Sequence, residues 1–149
     1  MKPLVFILAL LVAGPVAAQA VDGAALYKRC AACHLPGGAG VPGAFPPLQS
    51  DFLSLAKIPD GRRYLALVIL RGVSGPLVID GKTYRGFMPA QSALNDAEIA
   101  AVLNHVGTDI AKGKAFRAFA EAEVTATRQS AQALTSGDIG ALHPASGSK

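Results

Sequence analysis

Residues 30–34 read Cys-Ala-Ala-Cys-His (CAACH), and Cys30 and Cys33 are the only cysteines in the 149-residue chain. At the end of a helix their sulfurs would lie about one turn apart, within reach of the two vinyl edges of one haem. His34, four residues after Cys30, would then lie beneath the iron as its proximal ligand. The motif predicts one covalent haem c, attached through thioether bonds to Cys30 and Cys33.

Two other interpretations of this motif are weaker. A dithiol or structural disulfide would suit an oxidising compartment, but it does not require His34, and no strand pattern of the thioredoxin kind precedes the motif. A zinc site would lack a ligand, because two cysteines and one histidine supply three of the usual four. The histidine directly after the second cysteine therefore favours haem attachment.

The N-terminal residues predict an export signal. Lys2 precedes an apolar run over residues 4–13, and residues 18–20, Ala-Gln-Ala, form a small-x-small cleavage pattern. The run is shorter than the roughly 20 apolar residues of a membrane span, so a retained N-terminal anchor is the less favoured alternative. We predict a Sec signal peptide over residues 1–20, a periplasmic mature protein and no stable membrane insertion after cleavage.

Charge gives little support to a nucleic-acid partner. The whole chain has a formal net charge of +4 at pH 7, and one of its 14 basic residues, Lys2, is removed with the signal. The remaining basic residues occur as separate pairs, such as Lys28-Arg29 and Arg62-Arg63, rather than as a stripe with interleaved aromatics. We therefore expect no nucleic-acid binding.

Hydrophobic spacing and end signals predict a mostly helical mature chain. Asp22 can cap a first helix over residues 23–32. A second helical pattern covers residues 62–71 and ends at Gly72. The strongest helix signal is at Asn95, because Glu98 completes a capping box. These patterns predict a compact helical domain.

A short hairpin and a C-terminal extension complete the predicted organisation. Asp80-Gly81 is a strong two-residue turn signal between apolar, β-branched residues, and it predicts a small hairpin shortly before Met88. A further helical segment is expected over residues 116–134, within a C-terminal extension of residues 113–134. Residues 135–149 are rich in Gly, Ser, Ala and Pro, so we predict a disordered tail there.

Three side chains are candidates for the sixth iron position: Met88, His105 and His143. His143 falls in the predicted disordered tail, where holding a ligand would cost chain entropy. His105 lies within the Asn95 helix, where a core or partly exposed histidine is the more ordinary role. Met88 follows the hairpin in a loop, and Pro89 prevents that loop from continuing as a helix. Met88 is therefore the favoured distal ligand, since a soft thioether suits haem iron.

The sequence resembles a known family, the class I mono-haem c-type cytochromes, and in particular cytochrome c subunits associated with bacterial periplasmic dehydrogenases. The resemblance covers roughly residues 22–110, with a weaker match over residues 119–128. It rests on LYKRCAACH (26–34), FPPL (45–48), YRGFMP (84–89) and LNDAEIAAVLNHV (94–106).

The resemblance implies an all-α class I cytochrome c fold, here with a small hairpin before the distal ligand loop. It implies that Pro46 accepts a hydrogen bond from the proximal histidine through its carbonyl group, and that Met88 is the distal ligand. The sequence departs from the family at His105, where an aromatic residue usually packs against the first helix, so the tightness of that crossing is open. The expected domain covers residues 21–112.

The resemblance and the motif together predict a non-enzymatic electron carrier that passes single electrons from a dehydrogenase to a cytochrome or oxidase acceptor. One alternative is a haem subunit fixed in a larger oxidoreductase, with the C-terminal segment after Ile110 as its docking element. Another is a ligand-binding or peroxidase-like haem protein. Arg71, Lys82 and Arg85 are candidates for contacts to the haem propionates or to a partner, although plain surface charge explains each equally well.

Overall fold

A computed structural model describes residues 20–144. The predicted signal peptide over residues 1–20 therefore lies almost wholly outside the described residues. The elements, in chain order, are α1 (Gly23–Tyr27), α2 (Ala31–His34), α3 (Phe52–Leu55), α4 (Pro59–Arg71), β1 (Leu77–Ile79), β2 (Lys82–Tyr84), α5 (Asp96–His105), a π-helical turn (Val106–Ile110), α6 (Glu121–Ser130), α7 (Ser136–Ile139) and a 3₁₀ turn (Gly140–Leu142). The fold is mainly helical, as predicted.

Helix α5 begins as the sequence predicts. The Asn95 side chain accepts a hydrogen bond from the Glu98 amide at 2.9 Å, and the Glu98 carboxylate accepts one from the Asn95 amide at 2.8 Å. These reciprocal bonds satisfy two amides that the helix leaves unpaired. Leu94 and Ile99 are both buried on either side of this cap, so the helix start is fixed against the core.

Helices α1 and α5 cross in close contact despite the histidine at position 105. A Cβ atom on Gly23 would overlap the Ala101 carbonyl group, so only glycine permits this approach. The His105 ring packs against Tyr27, with the two ring centroids 5.3 Å apart. The crossing that the sequence left open is therefore tight, and His105 takes the aromatic position in it.

Two helical predictions were too long. The predicted first helix divides into α1 and α2, because the chain tightens after Tyr27, where the Cys30 amide bonds to the Tyr27 carbonyl at 2.8 Å. In the extension, the helix begins only at Glu121. Asn104 holds the backbone of Phe119 outside the helix, since its side chain bonds to both the amide and the carbonyl of Phe119.

The predicted hairpin is present. Strands β1 and β2 pair in antiparallel register, with Leu77 opposite Tyr84 and Ile79 opposite Lys82. The two turn residues, Asp80 and Gly81, have φ values of 50° and 72°. Positive φ at both positions is the type I′ geometry that follows the twist of the strands.

The predicted disordered tail is wrong for residues 135–144. Helix α7 and the turn after it pack onto α4, with Ile139 fully buried beside Leu67 and Ala131. The Ser136 carbonyl accepts a hydrogen bond from the Ser74 amide at 2.9 Å. A segment of mostly small and polar residues thus folds because Ile139, one of its two large apolar side chains, is buried in the core. Residues 145–149 of that tail lie outside the described residues.

No helix within residues 20–144 has both the length and the apolar character needed to cross a membrane.

Candidate functional site

One large cavity lies between the CAACH segment, α4, the hairpin and α5. It encloses about 1320 Å³, a figure that includes its mouth to solvent. Most of its wall is apolar, as expected for a site that holds a large planar ligand. The apolar wall comes from the loop after the motif, from α3 and α4, from the hairpin and from α5, and it includes Phe45, Phe52, Leu65, Val68, Ile69, Leu77, Ile79, Val102, Leu103 and Val106.

The three reactive side chains of the CAACH motif face this cavity. Cys30, Cys33 and His34 all line it, and both cysteines, which lie within the described residues, carry free thiols. The His34 amide bonds to the Cys30 carbonyl at 2.9 Å, which keeps the three side chains on one helical turn. With this arrangement, one wall of the cavity can supply both the sulfurs for thioether attachment and the imidazole for iron ligation.

His34 is oriented by a loop that folds back over it. Its Nδ1 lies 2.9 Å from the Pro46 carbonyl oxygen, so Nδ1 carries the proton and Nε2 keeps its lone pair. The Gly40 amide also bonds to the His34 carbonyl at 2.9 Å. Burial lowers the pKa of His34, against the opposing effect of the Pro46 hydrogen bond, and this favours the neutral ring that can bind a metal.

Met88 reaches the cavity on a separate segment that is fixed by its backbone. Its amide and carbonyl each form a 2.9 Å hydrogen bond with Val73, which lies two residues beyond the end of α4. Gly72 permits this approach, because its φ is 72° and a Cβ there would overlap the Met88 carbonyl oxygen. The Met88 side chain lines the same cavity as His34.

The two other candidate ligands lie in different surroundings. His105 does not line the cavity, among the residues described; its Nδ1 lies 2.9 Å from the exposed carboxylate of Asp109. His143 does line the cavity, with its Nε2 2.7 Å from Asp51. The sequence missed Asp51 and Tyr64 as cavity residues, and it set His143 aside because His143 falls in the predicted disordered tail. Asp51 and His143 are 92 positions apart, so no local pattern links them.

The sequence matches a known protein family. The family model for cytochrome c matches residues 20–108, which is more than half of the chain. The chain belongs to the cytochrome c family. The fold, the CAACH motif and the cavity wall of the cytochrome agree with a class I c-type member.

Two curated relatives, both from Thermus thermophilus, extend the comparison. The cytochrome is 42% identical over 125 residues to one cytochrome c-552 of this organism. The aligned region covers 82% of this chain and 84% of the relative. It is 44% identical over 110 residues to a second cytochrome c-552 of Thermus thermophilus, covering 72% of this chain and 84% of the relative.

The cytochrome therefore holds one covalent haem c through Cys30 and Cys33 and acts in electron transfer. When bound, the haem supplies an iron that gains and loses single electrons. The protein contributes the attachment sulfurs, a neutral imidazole and an apolar wall that excludes water. Redox partner proteins are implied by this chemistry, because a carrier must exchange electrons with a donor and an acceptor.

Proposed function

We propose that the cytochrome is a periplasmic electron carrier whose haem iron has His34 and Met88 as its axial ligands. One observation carries this proposal: the two side chains line one cavity from separate segments, and each is held by backbone hydrogen bonds. In this assignment Pro46 fixes the imidazole ring and increases its electron donation to the iron. Met88 supplies the thioether that favours the reduced state and raises the reduction potential.

Two filled axial positions suit electron transfer. An iron with both positions occupied changes oxidation state with little rearrangement and leaves no position for a substrate. A peroxidase-like enzyme would need an open iron position, which Met88 would fill. The alternative of a ligand-binding haem protein is therefore less well supported than a carrier.

The partner surface is expected near the distal loop. Phe87 lines the cavity and is also 61% exposed, so the mouth of the cavity offers an apolar contact beside Met88. We propose that a dehydrogenase donates single electrons to the haem through such a contact and that a cytochrome or oxidase accepts them. Aromatic residues are enriched at the buried centre of protein interfaces.

The C-terminal extension favours a free shuttle over a fixed subunit. Its large apolar residues Phe119 and Val124, and Ile139 in the segment that follows it, are buried in the cytochrome's own core rather than offered to another chain. Co-purification from the native host tests this point. A free shuttle elutes alone near its monomer size, whereas a fixed subunit elutes with its oxidoreductase.

Export and domain limits can be measured directly. We propose that the Sec signal ends at Ala20, that residues 21–112 form the cytochrome c domain, and that the extension over residues 113–134 packs onto it. Mass spectrometry of the haem-containing periplasmic fraction should give a chain that begins at Val21. A chain that retains residues 1–20 would favour an N-terminal anchor instead.

The carrier function is tested by adding external ligands to the purified protein. The expected ferric protein is low-spin, shows the weak red absorption band of sulfur–iron ligation, and responds slowly to cyanide because Met88 must first leave the iron. The ferrous protein should not bind carbon monoxide readily. A high-spin ferric protein that binds both ligands at once would contradict the proposal and favour a ligand-binding or enzymatic role.

A further inference from the structure

The turn that follows the CAACH motif has an unusual backbone at Leu35. Its φ and ψ angles are 65° and 158°, in a region that is almost confined to glycine. Leu35 comes directly after His34, so this conformation sets the direction in which the chain leaves the histidine. Backbone strain of this kind persists only where the surrounding structure restrains it.

The turn at Leu35 brings the following loop back over His34. The Gly40 amide bonds to the His34 carbonyl at 2.9 Å, and the Pro46 carbonyl oxygen lies 2.9 Å from Nδ1 of the His34 ring. Both contacts depend on the chain turning at Leu35, because a straight continuation of α2 would carry the loop away from the histidine. The orientation of the imidazole therefore depends on a strained residue.

The Tyr27 hydroxyl restrains this turn from the other end of the motif. It donates a 2.9 Å hydrogen bond to the Leu35 carbonyl, eight positions along the chain. The Gly38 amide is a second donor to the same oxygen, at 3.0 Å. The Gly38 bond lies within the turn itself, whereas the Tyr27 bond connects the turn to α1.

Tyr27 is itself firmly fixed. It is only 4% exposed, and its ring packs against His105 of α5 with the centroids 5.3 Å apart. One helical turn earlier, Gly23 lets α1 approach the Ala101 backbone of α5. Burial raises the pKa of Tyr27 to about 12, so its hydroxyl keeps the proton that it donates. The α1–α5 crossing is thus connected through one hydroxyl to the residue next to His34.

We propose that Tyr27 is a positioning residue for the proximal ligand His34. Its hydroxyl restrains the turn at Leu35, and this turn keeps the Pro46 carbonyl in contact with the imidazole. The inference rests on the proposed ligation of the iron by His34.

The consequence for the haem is a lower reduction potential. A hydrogen bond from Nδ1 to a carbonyl oxygen makes a ligating imidazole more basic. A more basic ligand stabilises the ferric iron more than the ferrous iron, because the ferric iron carries the greater positive charge. Tyr27 therefore keeps the potential lower than His34 and Met88 would give without it.

Tyr27→Phe tests this role, because it keeps the ring beside His105 and removes only the hydroxyl. Potentiometric titration of the haem-loaded protein should give a higher potential than in the wild type. A tenfold shift in the ferric-to-ferrous equilibrium corresponds to about 59 mV for a one-electron couple. We expect the rise to stay within that size, because the Gly38 amide still bonds to the turn.

Nuclear magnetic resonance can follow the hydrogen bond of the imidazole separately. In the ferrous protein, the Nδ1 proton of His34 should exchange with deuterium faster in Tyr27→Phe than in the wild type. The reason is that local opening of the turn exposes this proton to solvent.

Thr127→Val is the matched control. Thr127 is 7% exposed and donates a 2.9 Å hydrogen bond to the Glu123 carbonyl, so this variant also loses one buried bond from a hydroxyl to the backbone. Thr127 lies on α6 and, among the residues that the structure describes, it does not line the cavity. It should lower the thermal stability as Tyr27→Phe does, but keep the wild-type potential and exchange rate.

Leu35→Gly removes the strain at its source. Glycine adopts positive φ without a steric penalty, and the Leu35 side chain is 40% exposed, so little packing is lost. The turn then depends less on the Tyr27 hydroxyl. Adding Tyr27→Phe to Leu35→Gly should therefore raise the potential far less than adding it to the wild type, as coupled residues in a mutant cycle do.

The proposal is overturned if Tyr27→Phe keeps the wild-type potential and exchange rate, or if Thr127→Val raises the potential equally. It is also overturned if Leu35→Gly leaves the effect of Tyr27→Phe undiminished. The ferric spectrum of the wild type tests the proposed ligands separately. A high-spin spectrum contradicts the ligation itself, whereas an unchanged potential of Tyr27→Phe in a low-spin protein contradicts only the role of Tyr27.

Discussion

Arg62 joins the C-terminal extension to the haem domain, and replacing it with methionine should destabilise the fold. Its side chain is 5% exposed, and its guanidinium donates two 2.8 Å bonds to the Glu123 carboxylate. It also donates to the carbonyls of Ala56, Arg117 and Ala118, and lies 3.7 Å from the centroid of the Phe119 ring. Arg62→Met would keep most of the volume but leave these acceptors without their donor.

The size of the effect follows from burial. Removing one partner of a buried ion pair costs about 3–5 kcal/mol, because the other charge is left uncompensated. Glu123 is one-third exposed and keeps Arg117 as a second partner, so solvent reduces the loss. We expect a loss of about 3 kcal/mol in the free energy of unfolding, or roughly 10 °C in Tm. Guanidinium chloride unfolding followed by circular dichroism measures it.

The same pair predicts a loss of stability in acid. Hydrogen bonding from Arg62, as the largest cause, lowers the pKa of Glu123 from 4.5 to about 2. Because the folded-state pKa is the lower one, the contribution is complete above about pH 4.5 and is lost as the pH falls towards 2. In Arg62→Met this part of the acid dependence should be smaller than in the wild type.

A matched control is available at the same carboxylate. Arg117 also bonds to Glu123, at 3.1 Å, but its side chain is 66% exposed. Arg117→Met should therefore change the free energy of unfolding by about 0.5 kcal/mol or less. If Arg62→Met and Arg117→Met cost the same, the interpretation of Arg62 as a buried link between the extension and α4 is refuted.

Two further predictions concern packing. Gly23→Ala should lose roughly 1–3 kcal/mol of unfolding free energy, although alanine favours helix, because its Cβ would overlap the Ala101 backbone. Gly37→Ala, with open space around it, should stay within about 0.5 kcal/mol of wild type, and equal effects would argue against the tight α1–α5 crossing. Ile139→Ala should lose roughly 2–5 kcal/mol in the same denaturant assay. Leu142→Ala, at an exposed position, should lose about 0.5 kcal/mol or less, and a similarly small loss for Ile139→Ala would contradict a folded C-terminal segment.

The features that the sequence predicted correctly are those with local signals. The capping box at Asn95 and Glu98 joins residues three positions apart, and the hairpin turn needs only Asp80 and Gly81. These contacts form wherever the local chain is placed, so the sequence alone determines them. The haem attachment residues are predictable for the same reason, since CAACH is a single continuous motif.

The features that the sequence missed depend on distant contacts. The late start of α6 results from Asn104 holding the backbone of Phe119. The order of residues 135–144 depends on Ile139 entering a core built by α4, and His143 reaches the cavity through a contact with Asp51. Composition alone favoured disorder there, because small and polar residues dominate the segment.

The most direct test of the proposed axial ligands is the ferric absorption spectrum of Met88→Ala beside that of Phe87→Ala. Phe87 is the exposed neighbour of Met88, so its replacement perturbs the same loop without removing the thioether. We predict that Met88→Ala keeps its covalent haem but loses the weak red sulfur–iron band, while Phe87→Ala retains it. A band that persists in Met88→Ala, or that is absent from the wild type, would contradict the assignment of Met88 to the iron.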